Sequence, residues 1–222
     1  MGTLTAAEDY RKRTSQPVTI GVDIGQRVDP STICVCETFI VDRPGLRPET
    51  RFEVRHLERL PLGTGYPAVA ARIAEVVAGI ETRPVAPNHQ PPRIDLLIDA
   101  TGVGRPVVDI VRDALKGSSC RLTPVTFTYG DQLVTVNREL RLGKAFLVSR
   151  LQSLFQTDRV KLPANHPEAQ AMVAELQAYE IKVTENANDT YGAFRTGAHD
   201  DLVTALGLAV LRDRPGGGVW GT

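Results

Sequence analysis

The apolar residues of this chain fall into runs whose spacing changes along its length. Val18-Thr-Ile-Gly-Val-Asp23 is short, rich in β-formers and mostly apolar, and it breaks at Gly25 into the polar turn Gln26 to Ser31. Thr32 to Val41 is β-branched and aromatic and turns at Pro44-Gly45, while Arg51 to Leu60 alternates polar and apolar residues, as a strand with one wet face does. These runs, β1, β2 and β3, predict an antiparallel meander. After Pro61 to Pro67, the recurrence of Val69, Ile73, Val76, Val77 and Ile80 predicts an amphipathic helix of about four turns. The proline-rich stretch from Thr82 to Pro92 reads as a loop. Ile94 to Asp99 (β4) is nearly all apolar, as expected of a central strand covered on both faces.

A helix follows with Val107, Val108, Ile110, Val111 and Leu115 buried, Pro106 in its first turn and Gly117 as its stop. Leu122 to Phe127 (β5) predicts a further strand, and Pro124 argues for a sheet edge or an interruption there. Helices are predicted from Arg138 to Phe155 and from Pro167 to about Tyr179. Tyr179 to Val183 and Tyr191 to Phe194 flank the turn-rich Glu185 to Asp189 and predict a hairpin. The last helix opens at Gly197-Ala-His-Asp-Asp201, with Leu202, Ala205, Leu206, Ala209 and Val210 on one buried side. The expected architecture is α/β: a mixed sheet in which the β1-β2-β3 meander joins parallel β4 and β5, helices on both faces, and a β-hairpin inserted before the last helix. Residues 1–16 are expected to form a flexible arm, 17–213 one domain, and 214–222 a flexible tail.

Composition narrows the function only a little. The chain has 222 residues, enough for one sizeable core, with Lys+Arg and Asp+Glu balanced at 26 each, so any nucleic-acid face must be local. Between Arg138 and Lys161 there are six basic residues against two acidic ones, which makes Arg138, Arg141 and Lys144 the candidates for DNA contact. The three cysteines lack CxxC spacing and read as reduced thiols, which points to a cytoplasmic setting, and no apolar run has the length of a membrane span.

The carboxylates carry the chemistry. Asp23 stands within an apolar strand, where an unpaired charge costs several kcal/mol. Asp99 ends a strand before Thr101-Gly-Val-Gly104, and Asp200-Asp201 open a helix. Singly, Asp99 is a turn residue and Asp200 or Asp201 an N-cap. Together they form an all-oxygen donor set of the kind that hard Mg²⁺ or Mn²⁺ prefers, with no His/Cys set for zinc. Two such ions about 4 Å apart can clamp the attacking water and the leaving oxygen of a phosphodiester, with one carboxylate bridging. A central-strand aspartate suits the bridge, which gives Asp23 that role and places Asp99 and Asp201 beside it.

Gly21-Val-Asp-Ile-Gly25, a further aspartate at Asp29, Ile98-Asp-Ala-Thr-Gly-Val-Gly104, and His199-Asp-Asp201 opening an Ala/Leu helix resemble the nuclease domain of phage terminase large subunits, of the RNase H-like (RuvC-like) superfamily. The resemblance spans about Val18 to Leu211 and keeps the family's motif order. It implies an RNase H-like fold and a metal-dependent endonuclease that cuts concatemeric viral DNA during genome packaging. It further implies metal ligation by Asp23, Asp99, Asp200 and Asp201, catalysis centred on Asp23, Asp99 and Asp201, and support from Asp29, His199 and Thr204. Relatives often carry another acid one turn into the last helix, where this chain has Thr204. Asp200 is left to cap the helix, ligate weakly or hold a water. The implied partners are double-stranded DNA, an ATPase motor, a small terminase subunit and a portal, in the cytoplasm of a bacterial host. This chain has no GxxxxGK[ST] loop of its own, which marks it as an excised nuclease domain or a free-standing relative. The competing readings are a Holliday-junction resolvase-like nuclease and a non-catalytic DNA- or capsid-binding module.

Overall fold

β1 (Val18–Asp23) lies inside the sheet, between an antiparallel and a parallel neighbour. On one side it pairs with β2 (Thr32–Val41), which pairs antiparallel with β3 (Glu49–Arg59) across a register shift at Val35/Cys36. On the other side it pairs parallel with β4 (Ile94–Asp99), and β4 with β5 (Arg121–Thr128). The computed structural model describes residues 16–25, 29–41, 45, 47–85, 87, 90–178, 180–183, 189–192 and 200–213. The arm expected at 1–16, apart from Gln16, and the tail expected at 214–222 lie outside these.

The sheet extends beyond the predicted strands. Leu133–Val136 (β6) and Glu139–Gly143 (β7) form an antiparallel hairpin whose second strand runs parallel to β5, and Val160–Lys161 (β8) adds a short parallel strand at β3. The order is β6-β7-β5-β4-β1-β2-β3-β8. The helix predicted from Arg138 therefore starts late: Arg138 to Gly143 is turn and strand, and α3 covers Lys144–Gln156. Asn137 and Arg138 take φ of 50° and 68°, the left-handed pair that a two-residue hairpin turn needs. β5 is internal, contrary to a simple edge reading of Pro124, but β7 pairs with it only from Val125 onward. The proline thus precedes that ladder.

Strand alternation assigns the two faces. Ile20, Val22, Ile33, Leu96 and Ile98 pack under α1 (Tyr66–Glu81) and α2 (Gly104–Ala114). Cys34, Cys36, Phe52, Leu97 and Leu142 pack on the other side with α3, α4 (Pro167–Ala178) and α5 (Asp201–Ala209). The three cysteines are free, and Cys34 and Cys36 are buried. The hairpin expected before the last helix is present as β9 (Glu180–Val183) and β10 (Asp189–Gly192), a separate two-stranded sheet; Tyr179 and residues 193–199 lie outside the described residues. All nine residues of α5 are buried, rather than one side as the pattern predicted, because the sheet covers one flank and α3 and α4 the other. Among the described residues no helix is long and apolar enough to cross a membrane.

Gly21 lets α5 sit this deep. A Cβ there would lie 2.0 Å from the Ala205 carbonyl oxygen and 2.6 Å from the Ala209 nitrogen, so only glycine admits the helix backbone against β1. A Cβ at Gly207 would likewise meet the Leu147 side chain at 2.6 Å, so α3 closes onto α5 from the far side.

Candidate metal centre

Parallel register places the first two acids side by side. Val22 is opposite Ile98, so Asp23 and Asp99 end adjacent strands at the carboxyl edge of the sheet. This is where open α/β sheets bind ligands. Alternation puts both on the Gly21 and Leu97 face, which α5 covers, and α5 begins with Asp201 at that same edge. Asp23, Asp99, Asp200 and Asp201 line one open cleft of about 300 Å³. Thr204, one helical turn beyond Asp201, also lines it, as does Asp29 on the exposed loop after β1. His199 lies outside the described residues.

The electrostatics are those of crowded acids. Burial pushes the Asp23 carboxyl well above its ordinary value, and Asp99, Asp201 and Asp200 push it further, with Lys144 the opposing influence. Asp99 is raised by burial, partly offset by the Thr101 amide, which donates to its Oδ1 at 2.7 Å. Thr101 Oγ1 in turn accepts from the Phe127 amide at 2.8 Å, tying the loop after β4 to β5. Among the described residues, no three His, Cys, Asp or Glu side chains are drawn together tightly enough, as they stand, to enclose an ion. The cleft is lined by acids rather than closed into a cage. Asp99, Asp201 and Asp200 all disfavour a charge on Asp23, and a divalent cation is the charge that would relieve that conflict. The donor set, oxygen throughout, fits Mg²⁺ or Mn²⁺.

The basic candidates separate. Arg138 and Arg141 are exposed on the β6–β7 hairpin, away from the cleft lining. Lys144 is the first residue of α3, not part of a solvated helix face, and it lines the cleft. Its ammonium is 3.8 Å from Asp200 Oδ2 and 5.6 Å from the centre of the Phe127 ring. The remaining positive charge of that stretch is partly structural. Arg150 donates through Nε to the Val210 carbonyl at 2.7 Å, Arg159 through Nε to Thr50 O at 2.6 Å, and both pair with Asp213.

Asp200 does not cap the helix it precedes, since its side chain makes no capping bond. The acceptor is Glu175, a buried residue of α4 that the sequence did not single out: its Oε2 takes the Leu202 and Val203 amides at 3.0 and 3.3 Å. A single glutamate in the last turn of an amphipathic helix reads as solvated, and nothing in the sequence of α4 marks it otherwise. Asp200→Ala is therefore expected to leave thermal stability within about 0.5 kcal/mol of wild type. A melt showing a loss near 1 kcal/mol or more would restore the capping role.

A search of solved structures finds the same architecture in viral proteins. The chain is similar to the large terminase nuclease of thermophilic phage G20c, at 21% identity and TM-score 0.58, covering 87% of this chain and 81% of that one. It is similar to the nuclease domain of the large terminase subunit gp2 of bacterial virus Sf6, at 15% and 0.58, covering 93% and 94%. The human cytomegalovirus terminase nuclease domain matches at 13% and 0.54, covering 94% and 93%. No curated protein sequence matches. The mixed sheet and its flanking helices are thus an RNase H-like fold. The family described as the terminase RNase H-like domain matches residues 20–212, and the chain belongs to that family.

Proposed function

We propose that this domain is an endonuclease that hydrolyses phosphodiester bonds of double-stranded DNA with Mg²⁺ or Mn²⁺, two ions per site, and cuts concatemeric viral DNA during packaging. The observation that carries this reading is the convergence of Asp23, Asp99, Asp200 and Asp201 on one cleft from three separate elements. The similar G20c nuclease is known with bound magnesium, the cytomegalovirus domain was soaked with manganese, and a K428A mutant of the Sf6 domain is known with calcium. When bound, the ions supply activation of the attacking water and stabilisation of the leaving oxygen.

The protein's part is to hold and orient. Asp23, Asp99 and Asp201 would hold the ions, with Asp23 as the bridging ligand, and Asp200 would add a further carboxylate at the same cleft. The Lys144 ammonium at the cleft wall is placed to meet a phosphate oxygen, a charge-assisted contact that would replace its long pairing with Asp200. Arg138 and Arg141, exposed on the β6–β7 hairpin at the end of the sheet, are left to contact the DNA backbone farther along. An ATPase motor, a small terminase subunit and a portal are the partners such a role requires.

Incubating the purified chain with supercoiled plasmid tests the reading. Nicked and linear products are expected with Mn²⁺ or Mg²⁺ and none in EDTA, and Asp201→Ala is expected to give none in either. Undiminished cutting in excess chelator would overturn the metal mechanism.

A further inference from the structure

Asp23 and Asp201 belong to elements far apart in sequence, so some contact must fix the height of α5 against the end of β1. The sheet register supplies one side of it. Asp23 pairs with Thr32 on β2, and Thr32 with Arg59 on β3, so the three stand on one rung. At the end of that rung the Arg59 guanidinium forms an ion pair with Glu175 and lies 3.5 Å from Glu168, two turns earlier on the same face of α4. The second oxygen of Glu175 accepts the Leu202 and Val203 amides, directly after Asp201.

The rung that carries Asp23 and the helix bearing Asp201 are therefore joined by two side chains, neither of which lines the cleft. A local N-cap would have used the side chain of residue 200. Capping from α4 instead leaves Asp200 directed to the cleft. The arrangement adds another carboxylate beside Asp201, and Arg59 neutralises it, so that Asp201 is not pushed from its place.

We propose that Arg59 and Glu175 are a positioning pair that sets Asp201 against Asp23 and thereby the metal affinity of the cleft. The proposal rests on the metal-site reading above. Calorimetric titration of the full chain with Mn²⁺ tests it, alongside circular dichroism to confirm folding. Glu175→Ala is expected to weaken Mn²⁺ binding by about 10–100-fold, the usual consequence of removing a group that orients a ligand. Glu175→Gln, whose amide oxygen can still accept both N–H groups, should weaken it less, and Arg59→Met should fall between wild type and Glu175→Ala. The Arg59→Met/Glu175→Ala double variant should bind no more weakly than Glu175→Ala alone, because the two act as one unit. Wild-type affinity in Glu175→Ala, with only a lower Tm, would reduce Glu175 to a structural cap and overturn the proposal. Should Glu175→Ala fail to fold, wild-type affinity in both Glu175→Gln and Arg59→Met would overturn it equally. If the wild-type chain itself takes up no Mn²⁺, the metal-site reading fails, and the pair with it.

Discussion

Asp23→Asn is expected to remove cleavage by about three orders of magnitude while raising the melting temperature of the metal-free protein. The first effect follows from the bridging place proposed for Asp23: charge stabilisation by a bound ion is worth several kcal/mol at the transition state, and each 1.36 kcal/mol is about tenfold in rate. The second follows from the crowding. Burial and three neighbouring carboxylates hold Asp23 well above its ordinary value, so the folded state binds a proton that the unfolded chain has released. The sign is then fixed by linkage. The folded state is favoured below the ordinary carboxylate value of about 4 and loses that stability as pH rises toward the raised value. Asparagine removes the loss, so its gain, about 0.5–2 kcal/mol, should be seen at neutral pH and fade in acid. Melts of both proteins in EDTA across pH check it. A variant that cuts near normally would show that Asp23 is not the bridge, and one that melts lower at neutral pH would show that the carboxylates are not in conflict.

Gly21→Ala is expected to damage both fold and activity, although the substitution adds only one methyl group and changes no charge. The new Cβ would lie 2.0 Å from a backbone oxygen of α5, closer than the 3.0 Å that real Cβ atoms keep, and backbone cannot step aside as a side chain can. The helix must withdraw from β1. Overpacking of this kind costs about 1–3 kcal/mol, and the upper end of that range lowers the melting temperature of a domain this size by roughly 6–12 °C. Cleavage should fall further than stability accounts for, because Asp201 moves with the helix. An unchanged melt would mean that α5 does not approach β1 as closely as described.

Much of this was legible in the chain because period and composition agree at each element. β1 and β4 are short apolar runs, β2 is β-branched and aromatic, β3 alternates polar and apolar residues, and the helices α1 and α2 carry their repeat throughout. The miss between residues 133 and 143 has a local cause. The turn Asn137-Arg138 holds two residues at positive φ without glycine, so the usual hairpin signal is lacking, and the apolar spacing of β7 runs on into α3. That error also hid the setting of Lys144, which becomes the first residue of a helix at the cleft only once Gly143 ends the strand. The acids were legible as types at element ends, and parallel register did the rest. Glu175 was not, because its partners, Arg59 and the Leu202 and Val203 amides, are distant in sequence and no pattern within α4 reports them.

The depth of α5 has a consequence for how the protein is made. The helix that presents Asp201 is the last described element in chain order, yet it is enclosed by sheet on one side and helices on the other. During synthesis the ribosome releases Asp23 and Asp99 more than a hundred residues' worth of translation apart from the moment Asp201 can join them. A growing chain halted before residue 200 has only two of the four acids, Asp23 and Asp99, and no complete cleft. Cutting activity can therefore switch on only when the core is finished. A fragment truncated ahead of that helix should be harmless to DNA.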